Sequence, residues 1–65
     1  MNFSNWLKTQ RNYKKLTQKQ LAKTLGVSRQ TVNYWESGKS KISTLKQVQN
    51  LCKALDCSIQ DVPID

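Results

Sequence analysis

Histidine is absent from this 65-residue sequence, and the only cysteines are Cys52 and Cys57. A zinc site built from these side chains would lack half of its usual four ligands. Without histidine, and with a single glutamate, the sequence also offers no pairing of a nucleophile with a base and no pair of catalytic carboxylates. We therefore expect no metal, no cofactor and no enzymatic activity, and we expect both cysteines to be buried free thiols.

Long apolar runs are also missing. No segment approaches the roughly 18 consecutive apolar residues of a membrane span, and the polar start from Met1 to Asn5 lacks the apolar region of a signal peptide. No segment combines a basic face with a long apolar face, as a helix lying on a membrane surface would. We expect no membrane partner and a cytoplasmic location.

Acidic residues are few, and none of them lies in the first half of the chain. Eleven lysines and arginines against four acids give a formal net charge of +7, and the first acid along the sequence is Glu36. Positive charge concentrated in one part of a chain is typical of a protein with one face that meets a polyanion. A solvated, lysine-rich surface is the alternative interpretation of the same charge.

The length of the chain allows one compact domain, over residues 1–65, but no second hydrophobic core. The stability of such a domain must come from short helices that share nearly every apolar side chain. Helical spacing of the apolar residues recurs along the whole chain, and no segment has the alternation of a strand. We expect an all-α fold of five helices.

Capping residues and apolar spacing locate these helices. The first is predicted over about residues 4–12, with Ser4 as its cap. Thr17 and Gln20 match a capping box at the start of the second helix, which Gly26 ends. Ser28 then caps a third helix that runs from residue 29 to residue 36.

The fourth helix has the strongest apolar pattern in the sequence. Ser43 or Thr44 caps it, and its inner face carries Leu45, Val48, Leu51, Cys52 and Leu55. A short fifth helix is predicted to carry Ile59 and Val62 and to end at Pro63.

Residues 18–37 contain two short helices joined by a tight turn, with the small Ala22 where the helices would cross most closely. Trp35 has core spacing from Val32, whereas partial burial and a partner contact are both open for Trp6. The exposed face of the second helix of this pair then carries Ser28, Arg29, Gln30, Asn33 and Tyr34. Arginine can form paired hydrogen bonds with guanine, and glutamine and asparagine can form them with adenine. An α-helix fits the major groove, where the edges of these bases are displayed. An ordinary polar helix face is the alternative.

Two segments carry a resemblance to a known family. The stretch LTQKQLAKTLGVSRQTVNYWESGKS from Leu16 to Ser40, the stretch LCKALDCSIQDV from Leu51 to Val62, and Arg11 resemble the Cro/C1-type helix-turn-helix regulators of phage and bacteria, also called the XRE family. The resemblance covers most of the chain. It implies a lambda-repressor-like fold and a bacterial or phage-encoded, nucleoid-associated transcriptional regulator, expected to be a repressor.

The resemblance also implies roles for individual residues. Those that face base edges are Ser28, Arg29, Gln30 and Asn33. Those that approach DNA phosphates are Thr17, Gln18, Tyr34, Lys39, Ser40 and Lys41. Arg11 is expected to form a structural ion pair with Glu36.

The expected partners are a double-stranded DNA operator and a second copy of the chain. One such domain covers only a few base pairs, so a homodimer on DNA doubles the recognised site. We place its interface in the C-terminal region, at Ile59, Val62 and Ile64. The alternative function is a protein-interaction or antitoxin-like module with the same fold, which would not require arginine, glutamine and asparagine on the third helix.

Overall fold

A computed structural model describes residues 2–63, which form four α-helices and one 3₁₀ turn and contain no strand. The α-helices are α1 (Phe3–Tyr13), α2 (Gln18–Leu25), α3 (Arg29–Ser37) and α4 (Leu45–Leu55), and the 3₁₀ turn covers Ile59–Asp61. The all-α prediction is confirmed. Ile64, which we had placed in the dimer interface, lies outside the described residues.

The predicted fifth α-helix is wrong, because the chain makes a single 3₁₀ turn at this point. Ser58 caps the turn by accepting a hydrogen bond from the backbone N–H of Gln60, at 3.2 Å. Pro63 stops any continuation, since a proline forces the residue before it out of the helical region. That residue, Val62, is accordingly extended, with φ −82° and ψ 118°.

The α1 helix begins one residue earlier than predicted, and its cap is Asn2 instead of Ser4. The side-chain oxygen of Asn2 accepts a hydrogen bond of 2.8 Å from the backbone N–H of Asn5. Starting the helix at Phe3 lets that side chain enter the core beside Trp6, with 6.1 Å between the ring centroids. Trp6 is only 6% exposed, so it is buried more completely than the partial burial that we considered, and little of it is left for a partner contact.

The other three predicted caps are confirmed. Thr17 and Gln20 form the capping box of α2, and Ser28 and Thr44 accept backbone hydrogen bonds at the starts of α3 and α4. Gly26 ends α2 in the left-handed conformation, with φ 71°, where a residue without Cβ costs least. Only residues 26–28 separate α2 from α3, which fixes the close crossing of these two helices.

The core lies between all four helices. It consists of apolar residues at helical spacing: Phe3, Trp6, Leu7, Leu21, Ala22, Val32, Trp35, Val48, Leu51, Cys52, Leu55 and Val62. Helix α3 packs against α1 and α2, while α4 packs against α2. Because α3 buries only Val32 and Trp35, the opposite face of α3 stays exposed.

The two cysteines differ in burial. Both are free, but Cys52 is buried and Cys57 is only half-buried, so the expected burial is wrong for Cys57. Asp56 ends α4 in the left-handed conformation, so Cys57 lies beyond the helix and packs only partly against the core. Val62 is buried in the core of the same molecule and is therefore not available to the dimer interface in which we had placed it.

No helix within residues 2–63 is long and apolar enough to cross a membrane. In the same part of the chain, no three potential metal-ligating side chains are grouped together.

Candidate nucleic-acid interface

Four polar side chains lie together on the exposed face of α3. Arg29, Gln30, Asn33 and Tyr34 line one open surface depression. Their spacing of one and four residues places them on adjacent turns of the same helix face. Arg29, Gln30 and Asn33 are exposed and Tyr34 is half-buried, so this face presents hydrogen-bonding groups at the outside of the molecule.

Gln30 is held by Tyr34 one turn further along α3. The side-chain Nε2 of Gln30 donates a hydrogen bond of 2.7 Å to the hydroxyl oxygen of Tyr34. The ammonium of Lys39 lies 5.5 Å from the centroid of the Tyr34 ring, within the range of a cation–π interaction. Lys39 thus contacts the aromatic ring in addition to carrying charge on the loop after α3.

Gln18 joins the start of α2 to α3 through both ends of its amide. Its Nε2 donates to Oε1 of Glu36 at 3.2 Å, and its Oε1 accepts a long hydrogen bond of 3.5 Å from Nδ2 of Asn33. Within residues 2–63, Nε2 donates only to Glu36, and Gln18 opens α2, where unpaired backbone N–H groups favour an anion. Gln18 therefore connects the expected phosphate side of the site with the exposed face of α3.

Arg11 and Glu36 form a shielded, bidentate ion pair between α1 and α3. Nε of Arg11 lies 2.6 Å from Oε2 of Glu36, and Nη2 lies 3.1 Å from Oε1. The third guanidinium nitrogen, Nη1, donates to the backbone carbonyl of Leu16 at 2.7 Å. The side chains are only 11% and 4% exposed, so the pair ties α1, the turn before α2 and α3 into one unit.

Thr17 and Ser28 use their hydroxyl oxygens as helix caps. Thr17 Oγ1 accepts from the backbone N–H of Gln20 at 3.0 Å. Ser28 Oγ accepts from the backbone N–H of Thr31 at 3.2 Å and lies 2.9 Å from the Thr31 hydroxyl. Both capping residues are exposed, so their positions at the helix starts remain open to a ligand.

The loop after α3 is anchored on Tyr34 through Lys39 and Ser40. The backbone N–H groups of Lys39 and Ser40 both donate to the carbonyl of Tyr34, at 3.0 and 3.4 Å. Lys39, Ser40 and Lys41 are all exposed. Their side chains therefore extend the polar surface beyond the end of α3.

Two residues that the sequence did not single out also belong to this site. Lys8 and Ser37 line a second depression, between α1, α2 and α3, together with Arg11, Gln18, Asn33 and Glu36. Lys8 lies one turn before Arg11 on the same helix, so their i, i+3 spacing was a usable signal. Nothing in the sequence signals the contact of Gln18 with Glu36, which depends on how α2 and α3 cross.

A family model described as helix-turn-helix matches residues 7–62 of this chain. The chain belongs to the Cro/C1-type helix-turn-helix family. A search of curated protein sequences gives no match.

Several solved structures share the arrangement of helices seen in this chain. The P22 c2 repressor in complex with a synthetic operator is 27% identical, with a TM-score of 0.84, over 92% of this chain and 89% of that one. The restriction-modification controller protein C.AhdI from Aeromonas hydrophila is 33% identical, with a TM-score of 0.82, over 89% and 86%. HppE with bound substrate is 34% identical, with a TM-score of 0.82, over 89% of this chain but only 33% of its own.

Proposed function

We propose that this chain binds double-stranded DNA sequence-specifically, with α3 in the major groove, and acts as a transcriptional repressor. The observation that carries the proposal is the exposed face of α3, where Arg29, Gln30 and Asn33 lie side by side. Side chains of these types form paired hydrogen bonds with guanine and adenine in that groove. The P22 c2 repressor, a member of the same family, has been solved on a synthetic operator.

We assign base contacts and phosphate contacts to different parts of this surface. Arg29, Gln30 and Asn33 face base edges, with Ser28 beside them at the start of α3. Phosphates are met by Gln18 and its neighbour Thr17 at the start of α2, and by Lys39, Ser40 and Lys41 in the loop after α3. Phosphate contacts set position and orientation, whereas base contacts supply specificity.

We also propose that one domain spans the chain and that two copies bind one operator. The exposed part of the C-terminal region contributes to the contact between copies, and Ile59, at 41% exposure, is its apolar candidate. Two copies related by a two-fold axis recognise a palindrome with half-sites about one helical turn apart.

Selection of bound sites from a pool of random duplexes tests the function. The wild-type chain should enrich a palindromic site, and sedimentation with that site should show two chains per duplex. A protein-interaction module would enrich no sequence and would bind all duplexes alike through its net positive charge.

Variants at the site separate base contacts from phosphate contacts. Gln30→Ala or Asn33→Ala should cost about 1–3 kcal/mol on the best site and relax the preference at one or two base pairs, because each lost contact affects only its own base. Gln18→Ala should weaken binding to all duplexes more evenly, since phosphates are the same at every sequence. An unchanged base preference in Arg29→Ala, Gln30→Ala and Asn33→Ala alike would exclude α3 as the recognition helix.

A further inference from the structure

The contact between Gln30 and Tyr34 leaves most of the Gln30 amide free. An amide nitrogen carries two hydrogens, and only one of them is used in the 2.7 Å bond to the Tyr34 hydroxyl. The second hydrogen and the Oε1 oxygen have no partner within residues 2–63. These are the donor and the acceptor that can contact N7 and N6 of adenine, respectively. The bond to Tyr34 therefore restricts the Gln30 side chain without using up its capacity to recognise a base.

Tyr34 is itself held in place from two directions. Its ring has the Lys39 ammonium over one face, 5.5 Å from the centroid, and it is half-buried at the end of α3. Its carbonyl accepts backbone hydrogen bonds from Lys39 and Ser40, so the loop after α3 is anchored on the same residue. A hydroxyl on such a restrained ring is a fixed point for the flexible Gln30 side chain.

We propose that Tyr34 is a positioning residue for base recognition, whose hydroxyl holds the Gln30 amide in the orientation that contacts an adenine. Glutamine has three rotatable side-chain bonds, and their freedom is lost when the amide binds a base. A restraint already present in the free protein reduces that loss and makes the bound orientation the prevailing one. The inference rests on the proposed function, because Gln30 must face DNA for its orientation to matter.

This positioning role replaces the phosphate contact that the family resemblance implies for Tyr34, and removal of the hydroxyl distinguishes the two roles. A phosphate contact contributes equally at every DNA sequence, whereas an oriented Gln30 contributes only at the base pair that it contacts. Removal of the hydroxyl alone, in Tyr34→Phe, keeps the ring and its contact with Lys39. Tyr13→Phe is the matched control, since Tyr13 is 78% exposed at the end of α1.

The test combines site selection with competition binding for the wild-type chain, Tyr34→Phe, Gln30→Ala and the double variant. Tyr34→Phe should lower discrimination at the base pair that Gln30→Ala affects by about two- to tenfold, the contribution of one hydrogen bond. Binding to random duplex should not change. In the Gln30→Ala background, Tyr34→Phe should have no further effect on the base preference, and Tyr13→Phe should behave as wild type.

A measurement without DNA tests the restraint itself. Nitrogen-15 relaxation of the Gln30 side-chain amide should show restricted motion in the wild-type chain and increased motion in Tyr34→Phe, with the Gln60 amide as an exposed reference. Equal motion in both proteins would overturn the positioning role. An unchanged base preference in Tyr34→Phe would also overturn the positioning role. A uniform loss of affinity for all duplexes, with a smaller salt dependence, would overturn it in favour of a phosphate contact. A wild-type chain that enriches no sequence would instead remove the proposed function, whatever the relaxation data show.

Discussion

Arg11 and Glu36 meet where neither side chain has much access to water, and every nitrogen of the guanidinium has an acceptor. Burial of both charges costs hydration energy, which only good geometry and complete hydrogen bonding offset. Loss of one partner leaves the other charge shielded and unpaired. The pair is therefore more sensitive to single substitutions than an exposed ion pair would be.

A double-mutant cycle measures this dependence. Glu36→Gln should lower the free energy of unfolding by about 1.5–3 kcal/mol, the range for hydrogen bonds to charged groups. In the Arg11→Met background the same change should cost much less, because the interaction is already lost. Denaturant unfolding supplies the energies, and Lys46→Met, at an exposed lysine of α4, is the control. Strictly additive losses would contradict the bridging role.

The thiol of Cys57 supplies a second residue-scale prediction. Burial, the neighbouring Cys52 thiol and the carboxylates of Asp61 and Asp56 raise the pKa of Cys57 from its ordinary value of 9.0 to about 11. At pH 8 this pKa leaves roughly one hundredth of the thiolate present at the ordinary value, and the thiolate is the reactive form. Alkylation of Cys57 at pH 8, followed by mass spectrometry, should be correspondingly slow in the native chain and fast in denaturant.

The same pKa gives the direction of a pH effect on stability. A raised pKa means that the folded state binds the proton more tightly, so this contribution is fully present below pH 9 and is lost as the pH rises towards about 11. Cys57→Ala should remove this contribution to the loss of folding stability between pH 9 and about 11. Equal native and denatured alkylation rates at pH 8 would show that the pKa is not raised.

At the scale of single helices, the C-terminal caps of α2 and α4 use the same backbone conformation with different residues. Gly26 ends α2 with φ 71°, and Asp56 ends α4 with φ 54°. The left-handed region costs a residue with Cβ about 1–2 kcal/mol, although aspartate tolerates it better than most. The aspartate also places negative charge at the negative end of the helix dipole.

Substitutions at these two cap positions should therefore change the free energy of unfolding in opposite directions. Asp56→Gly should raise the free energy of unfolding by about 0.5–1 kcal/mol, through relief of backbone strain and of the unfavourable charge. Gly26→Ala should lower it by about 1 kcal/mol through the backbone alone, because a Cβ there meets no atom within 4 Å. Thermal unfolding compares the two variants with the wild-type chain. A stabilising Gly26→Ala would show that the left-handed cap is not maintained.

Charge acts at the scale of the whole molecule. The net charge of +7 attracts any duplex, but only cations that contact phosphates release counterions from DNA. Lys39→Ala or Lys41→Ala should therefore reduce the slope of log affinity against log salt by about one unit per lost contact. Lys53→Ala, an exposed lysine in the last turn of α4, is the matched control and should leave the slope unchanged. Equal effects of all three variants would indicate diffuse attraction instead of defined contacts.

The sequence by itself determined the order of the four α-helices, most of their caps and the polar face of α3. These features depend on hydrogen bonds and apolar spacing among residues a few positions apart, which local sequence specifies. The tertiary structure alone decided which polar side chains from different helices contact one another. Gln18 contacts Glu36 from 18 positions away, and the pairing of Glu36 with Arg11, 25 positions apart, was expected only from the family resemblance. Such contacts depend on how the helices cross, and the packing of the whole core sets that geometry.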